Sequence, residues 1–258
     1  MVWGTFTNVH IGTLAFALVF TVALYNMLVR KSRRIQVLFL FFLSLVVMGI
    51  AVYNTVTSEN IIENLPLSMW GLAAILLPYA ALFRKKWCCN LLLLWSSESL
   101  ITLIFNQSRA DWNVISPEFV IFFMTHTMII AITLVLFWLK LVVRDFKYMF
   151  RSLLATTLVY TLAHFVNIAF GTNYFYSVNP EGIELLAFFR ALIPMDYWYM
   201  YLTIPVFLIY LTWWYLPEIL DYIRKTKRLR RKLRSIDKYY DEYEDEYIEE
   251  IIEEKYGR

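Results

Sequence analysis

A handful of side chains able to move protons or hold a ligand stand inside the long apolar runs of this 258-residue chain: His126, His164, Glu98, Asn167 and Ser68. Such groups are costly within a membrane helix and usually face protein or water, so they mark sites. Imidazole exchanges protons near neutral pH, and a carboxyl in a dry environment holds its proton more tightly. His126, His164 and Glu98 therefore suit acid–base chemistry or a proton relay. Ser68 beside His126 would make a hydroxyl nucleophile with its base. The plainer reading gives each residue a packing hydrogen bond worth about 0.6 kcal/mol and makes Ser68 a helix cap. Asn167 shares a helical face with His164, and Thr125 and Thr127 flank His126.

Other chemistries lack their residues. Three histidines and a glutamate are first-row metal ligands by type, but no two histidines share an apolar run and no His-x-x-x-His occurs, so no metal is expected. Glycine-rich phosphate loops and nucleophile elbows are absent, and no cofactor is expected. Cys88 and Cys89 are adjacent and offer no disulfide framework. They read either as a site of acylation beside Arg84, Lys85 and Lys86 or as two small apolar residues at a helix start.

The elements that must position these groups are seven apolar runs, at residues 9–29, 35–55, 65–83, 87–105, 118–139, 152–170 and 194–216. Each is near the ~20 residues a helix needs to cross a bilayer core. Hydrophobic residues make up 60% of the chain and aromatic ones 18%, more than one soluble domain of this size would bury without aggregating. Arg30, Lys31, Arg33 and Arg34 follow the first run, Arg84, Lys85 and Lys86 the third, and Lys140, Arg144, Lys147 and Arg151 the fifth. A basic tail follows the seventh, and the other gaps hold only Arg109 and Arg190. The positive-inside bias predicts an all-α bundle of seven transmembrane helices, N-terminus outside and C-terminus cytoplasmic, and the expected location is the plasma membrane. The first run, with no charge before it and a basic cluster after it, is expected to remain as a helix and not to be a cleaved signal. In this topology His10, His126, His164, Glu98 and Ser68 all fall in the outer half of the membrane. No run puts an ionisable residue deep in its inner half.

Two domains follow: a membrane part at 1–217 and a cytoplasmic helical tail at 218–258. From Arg224 to Lys238 the tail carries nine basic residues and one acid; from Tyr239 to Glu254 it carries nine acids and no base. Leu229, Leu233, Ile236, Tyr240, Tyr243 and Tyr247 form a heptad stripe of under three repeats. The tail reads as a self-association or partner-docking helix, or as a solvated amphipathic segment whose basic half anchors topology. Its basic half has no interleaved aromatics, and no nucleic-acid partner is expected. Residues 171–193 combine Asn, Pro and Gly turn chemistry with an apolar patch, as a re-entrant segment or an ordinary connector would.

Four motifs occur in one order: Leu65-Pro66-Leu67-Ser68, Thr125-His126-Thr127, Asn173-Tyr174-Phe175-Tyr176, and Pro194 with Tyr197-Trp198-Tyr199. Over about residues 10–216 the chain resembles the YwaF-like bacterial integral membrane proteins, which are similar to the eukaryotic transmembrane protein 164 acyltransferases. The family typically reads Leu-Pro-Leu-His-x-Cys-Asp at the third span and Ser-His-Gly at the fifth. The resemblance implies acyl transfer through that cysteine and the second histidine, a thiol taking the acyl group while imidazole manages the proton. His126 matches the histidine, whereas Ser68, Trp70 and Gly71 stand where the family has His, Cys and Asp. The expectation is a lipid-binding relative with acyl transfer lost, its outer-leaflet cavity built from His126, His164, Glu98, Asn167, Asn173, Trp70 and Tyr197. A transporter or channel component, or a scaffold assembling through residues 218–258, is the alternative.

Overall fold

A computed structural model describes residues 2–105, 111–180, 184–195 and 201–256, with the side chains of 184–185 and 230–256 outside that description. Among these residues the chain forms eight α-helices and no strand: α1 (Asn8–Val29), α2 (Arg33–Val56), α3 (Met69–Phe83), α4 (Lys86–Ile104), α5 (Pro117–Trp138), α6 (Tyr148–Phe170), α7 (Glu184–Leu192) and α8 (Thr203–Tyr256). Six of them, α1, α2, α4, α5, α6 and the Thr203–Leu229 part of α8, are long and apolar enough to cross a membrane. Helices dominate because a bilayer core offers no water to the backbone, so each N–H and C=O must be satisfied within its own segment. Side-chain hydroxyls follow the same economy. Thr21, Thr125 and Thr157 each donate to the carbonyl one turn back, at 2.7 to 2.9 Å.

The third apolar run departs from the simplest expectation. Its helix has 15 residues, about 22 Å long, against a hydrocarbon core of about 30 Å. Residues 65–68 are not helical because Pro66 disfavours helix at Leu65 and Ser68 is the N-cap, its Oγ accepting the Gly71 amide at 3.3 Å. The capping segment folds down on the first turn. A Cβ on Gly71 would lie 2.8 Å from the Pro66 backbone, so only glycine fits.

Successive helices alternate in direction between two ends. At one, the His10 ring of α1 bonds the Leu103 carbonyl of α4, Thr55 of α2 donates to the Asn64 carbonyl before α3, and Tyr174 after α6 donates to the Ile62 carbonyl. At the other, Arg33 of α2 reaches the Leu141 carbonyl after α5 at 3.4 Å, and the Cys89 thiol of α4 meets the Ala80 carbonyl of α3 at 3.7 Å. The Arg30–Arg34, Arg84–Lys86 and Lys140–Arg151 clusters all fall at this second, basic end.

The helices at the centre are α4 and α5, whose apolar windows are 67% and 61% buried, against 17% for α1. On α6, Ser152, Thr156, Tyr160, His164 and Asn167 recur at helical spacing and turn toward α4, where Trp95 Nε1 donates to Thr156 Oγ1 at 3.0 Å. Leu154, Leu158, Leu162, Phe165 and Ile168 occupy the opposite, exposed face. Polar inside and apolar outside is the arrangement a lipid environment selects. The start of α8 runs antiparallel to α6: Thr203 pairs with Tyr160, and Thr212 lies 4.0 Å from the Met149 sulfur. The stretch read as a re-entrant segment or connector forms the nine-residue α7, with Leu186 and Phe189 buried and Phe188 and Leu192 exposed.

The chain separates into two compact units, Met1–Trp213 and Trp214–Arg258. In the second, helix continues to Tyr256 and Lys225 pairs with Asp221 at 2.8 Å on the surface. Leu229 of the heptad stripe is exposed; the stripe's remaining side chains lie outside the described residues.

Candidate functional site

The motif around His126 sits in the middle of α5, where Thr125, His126 and Thr127 are all buried. His126 Nδ1 lies 2.8 Å from the Phe122 carbonyl of its own helix. A carbonyl only accepts, so Nδ1 carries the proton and a neutral ring keeps its lone pair on Nε2. That tautomer presents a base. Two aromatic rings flank it: Phe122 at 4.3 Å between centroids, and Trp70, from the first turn of α3, at 5.5 Å and 38°. The Ser68 cap starts α3 where it does and thereby brings Trp70 onto the imidazole. Next to His126 the Thr127 hydroxyl is buried with no hydrogen-bond partner among the described residues.

Glu98 lies on the side of α4 that faces α6, one turn beyond Trp95. Thr102 Oγ1 donates to its Oε1 at 3.1 Å, and the Tyr160 phenol, hydrogen-bonded to Thr203, lies close enough to interact with its charge.

His164 belongs to a denser network at the end of α6. Its Nδ1 is 3.0 Å from Ser177 Oγ. Asn167 donates from Nδ2 to the same Ser177 oxygen at 2.7 Å and to the Tyr174 carbonyl at 2.9 Å, while its Oδ1 accepts from Thr172 Oγ1 at 2.7 Å and the Tyr174 amide at 2.8 Å. All four hydrogen-bonding positions of this buried amide are thus taken by the loop after Gly171, which ends α6 in the left-handed conformation. Asn173 braces the same loop. Its Oδ1 accepts the Val178 and Asn179 amides at 3.1 Å each, and its Nδ2 donates to the Asn179 carbonyl at 2.8 Å. Phe175 and Tyr176, both at positive φ, are the strained residues this network holds in place. Burial holds the Tyr174 phenol above its ordinary pKa, so it stays a neutral donor to the loop before α3.

The expected residues are therefore held in groups. His126 meets Trp70 at the junction of α3 and α5, and His164 meets Asn167 through Ser177 at the end of α6; α4 packs between α5 and α6. Ser68 is engaged as the cap of α3. His10 has both nitrogens occupied, Nδ1 accepting the Phe6 amide and Nε2 donating to the Leu103 carbonyl, each at 2.8 Å, so it is a neutral clasp between α1 and α4. Tyr197, with Trp198, Tyr199 and the loop residue Arg109, lies outside the described residues. Sequence reading missed Tyr160 and Ser177. The first was detectable as the residue one turn before His164 on the polar stripe of α6; the second, a lone loop serine, carries no local signal.

Cys88 and Cys89 are fully buried at the start of α4, at the basic end, whereas His126 is nearer the other. Among the described residues no group of three His, Cys, Asp or Glu side chains is placed to hold a metal ion. An apolar groove of about 440 Å³ runs between α1 and α5 at the histidine end, lined by Val9, Gly12, Phe16, Val120 and Phe123 among others.

No curated protein and no solved structure is significantly similar to the chain. A family model, the TMEM164 family, matches residues 5–216, which include α1 to α7 and the first part of α8. With six helices apolar and long enough to cross a bilayer and a match over most of its length, this chain is a multi-pass membrane protein belonging to the TMEM164 family.

Proposed function

We propose that the chain binds membrane lipid at its histidine end and has lost the acyl transfer that its resemblance to the acyltransferases implies. The observation that carries this reading is the Trp70 indole lying 5.5 Å from the His126 imidazole. His126 keeps the proton-accepting tautomer an acyl-transfer base needs, but where the resemblance implies a thiol this chain has an indole, which cannot carry an acyl group as a thioester. The chain's two cysteines are fully buried at the opposite end of α4 and do not substitute. Gly71 points the same way: an aspartate there would meet the Pro66 backbone at 2.8 Å from its Cβ onward. The groove between α1 and α5 takes the acyl chain, its apolar lining matching hydrocarbon and its mouth opening to the membrane.

Seven crossings complete this reading, with the N-terminus and the histidine end outside and the basic end cytoplasmic, in the plasma membrane. The short α3 counts as the third crossing because it runs from the histidine end to the basic end between α2 and α4, and the basic clusters share one end. The tail at 218–258 serves as an anchor and partner-docking helix on the cytoplasmic face.

The test uses purified protein in phosphatidylcholine vesicles containing a lysolipid acceptor. Wild type leaves the acyl chains in place, whereas Trp70→Cys beside His126 acquires a hydroxylamine-labile acyl adduct. Transfer by wild type that disappears in His126→Ala overturns the loss of activity. For lipid binding, a photoactivatable phosphatidylcholine labels α1 and α5. Gly12→Trp, at a position where an added Cβ meets nothing within 4 Å, plugs the groove and removes the label. Undiminished labelling overturns the groove assignment.

A further inference from the structure

The basic end holds more than a topological charge bias. Arg33 and Arg34 in the first turn of α2 and Arg84 just after α3 line one cleft of about 330 Å³ with Val37 and Leu38. The three guanidiniums come from elements some fifty residues apart in sequence, and among the described residues no carboxylate lines the cleft. Crowding like charges without a counter-charge is unfavourable unless an anion occupies the space between them.

Arg84 is held there at a cost. It ends α3 in the left-handed conformation, φ 54° and ψ 32°, where glycine is the ordinary choice and a Cβ is strained. Its Nε is buried and has no hydrogen-bond partner among the described residues. An arginine needed only to mark one side of the membrane would sit as well at any exposed position, as Lys85 and Lys86 do at the start of α4. A strained backbone and an unspent guanidinium donor, side by side in a cleft, are what a bound anion would repay.

We infer that this cleft binds the phosphate of an anionic membrane lipid. Guanidinium forks match phosphate oxygens in pairs, and the amides at the start of α2 add their own attraction for negative charge. The apolar part of the lining favours a lipid over free phosphate. Val37 and Leu38 continue from the arginines toward the hydrocarbon, and Ile35 and Phe83 beside them expose 50% and 54% of their surface, so an acyl chain can lie along the bundle while its headgroup stays in the cleft. The inference concerns the end opposite His126 and stands whether or not the reading of that site holds.

Full-length protein in detergent is titrated with phosphatidylglycerol and, separately, with phosphatidylcholine of the same acyl chains, bound lipid being counted by native mass spectrometry. Wild type retains phosphatidylglycerol preferentially. The double variant Arg34→Gln/Arg84→Gln loses about tenfold or more in that affinity, the loss expected when charge-assisted bonds disappear. The control Lys31→Gln/Lys85→Gln, which removes the same charge from neighbouring positions, stays within about twofold of wild type. Equal losses in the two double variants, or no preference between the lipids, overturn the inference. Arg84→Gly guards against misfolding: it suits the left-handed position, so it melts no lower than wild type while its phosphatidylglycerol affinity falls, and unchanged affinity counts against the site. Displacement of the lipid by millimolar inorganic phosphate, with phosphate retained in its place, assigns the cleft to free phosphate and overturns the lipid reading.

Discussion

Two histidines of the helices, the buried His126 and the half-buried His164, sit in neighbourhoods built on opposite principles. Around His164 the polar atoms are paired to completion: Asn167 spends all four hydrogen-bonding positions on Ser177, Thr172 and Tyr174, and the loop after α6 is fixed as a result. Around His126 the flanking rings are those of Phe122 and Trp70, its Nδ1 bonds the Phe122 carbonyl within α5, and the adjacent Thr127 hydroxyl has no hydrogen-bond partner among the described residues. A completed network of that kind fixes a backbone, whereas a ring packed among aromatic side chains contributes through packing. The same residue type thus joins a loop-fixing network at the end of α6 and lies against aromatic rings at the α3–α5 junction.

Substitutions can break this contrast or sharpen it. The largest effect belongs to Asn167→Ala. It strands the buried Tyr174 amide and the Thr172 hydroxyl and removes one of the two partners of Ser177, and is expected to cost about 3 kcal/mol, read as a fall in melting temperature in detergent. A change near zero would mean that the loop does not depend on this amide. Next comes Gly71→Ala, whose methyl would meet the Pro66 backbone at 2.8 Å. The cost expected for such overpacking is about 2 kcal/mol, together with altered quenching of the Trp70 fluorescence as α3 shifts. Smallest is the matched pair His164→Phe and His126→Phe. The first, losing a link to the loop, is expected to cost about 1 kcal/mol. The second, losing one bond within its own helix among aromatic neighbours, is expected to cost about 0.6 kcal/mol. If His126→Phe proves the more destabilising, His126 is the architectural histidine and the contrast is reversed.

The apolar runs read from sequence correspond closely to helices at α1, α2, α4 and α5, because in lipid an apolar stretch of that length has one economical way to satisfy its backbone. The run at 65–83 was legible as apolar but not as divided. Its first four residues became a capping segment because Pro66 and Ser68 end helix propagation locally and Gly71 lets that segment lie against the first turn. The histidines, Glu98 and Asn167 could be ranked by depth along their helices, since depth follows from rise per residue. Which neighbour each one faces could not.

Composition and order alone determined the helical membrane architecture and the clustering of positive charge, since each depends only on residue type along the chain. Tertiary structure decided that Trp70 lies on His126, that Asn167 is consumed by its own loop, and that Arg33, Arg34 and Arg84 share a cleft. The physical reason is rotation: a helix fixes how deep a side chain sits, but its azimuth, and hence its partner, is set only when all the helices pack together.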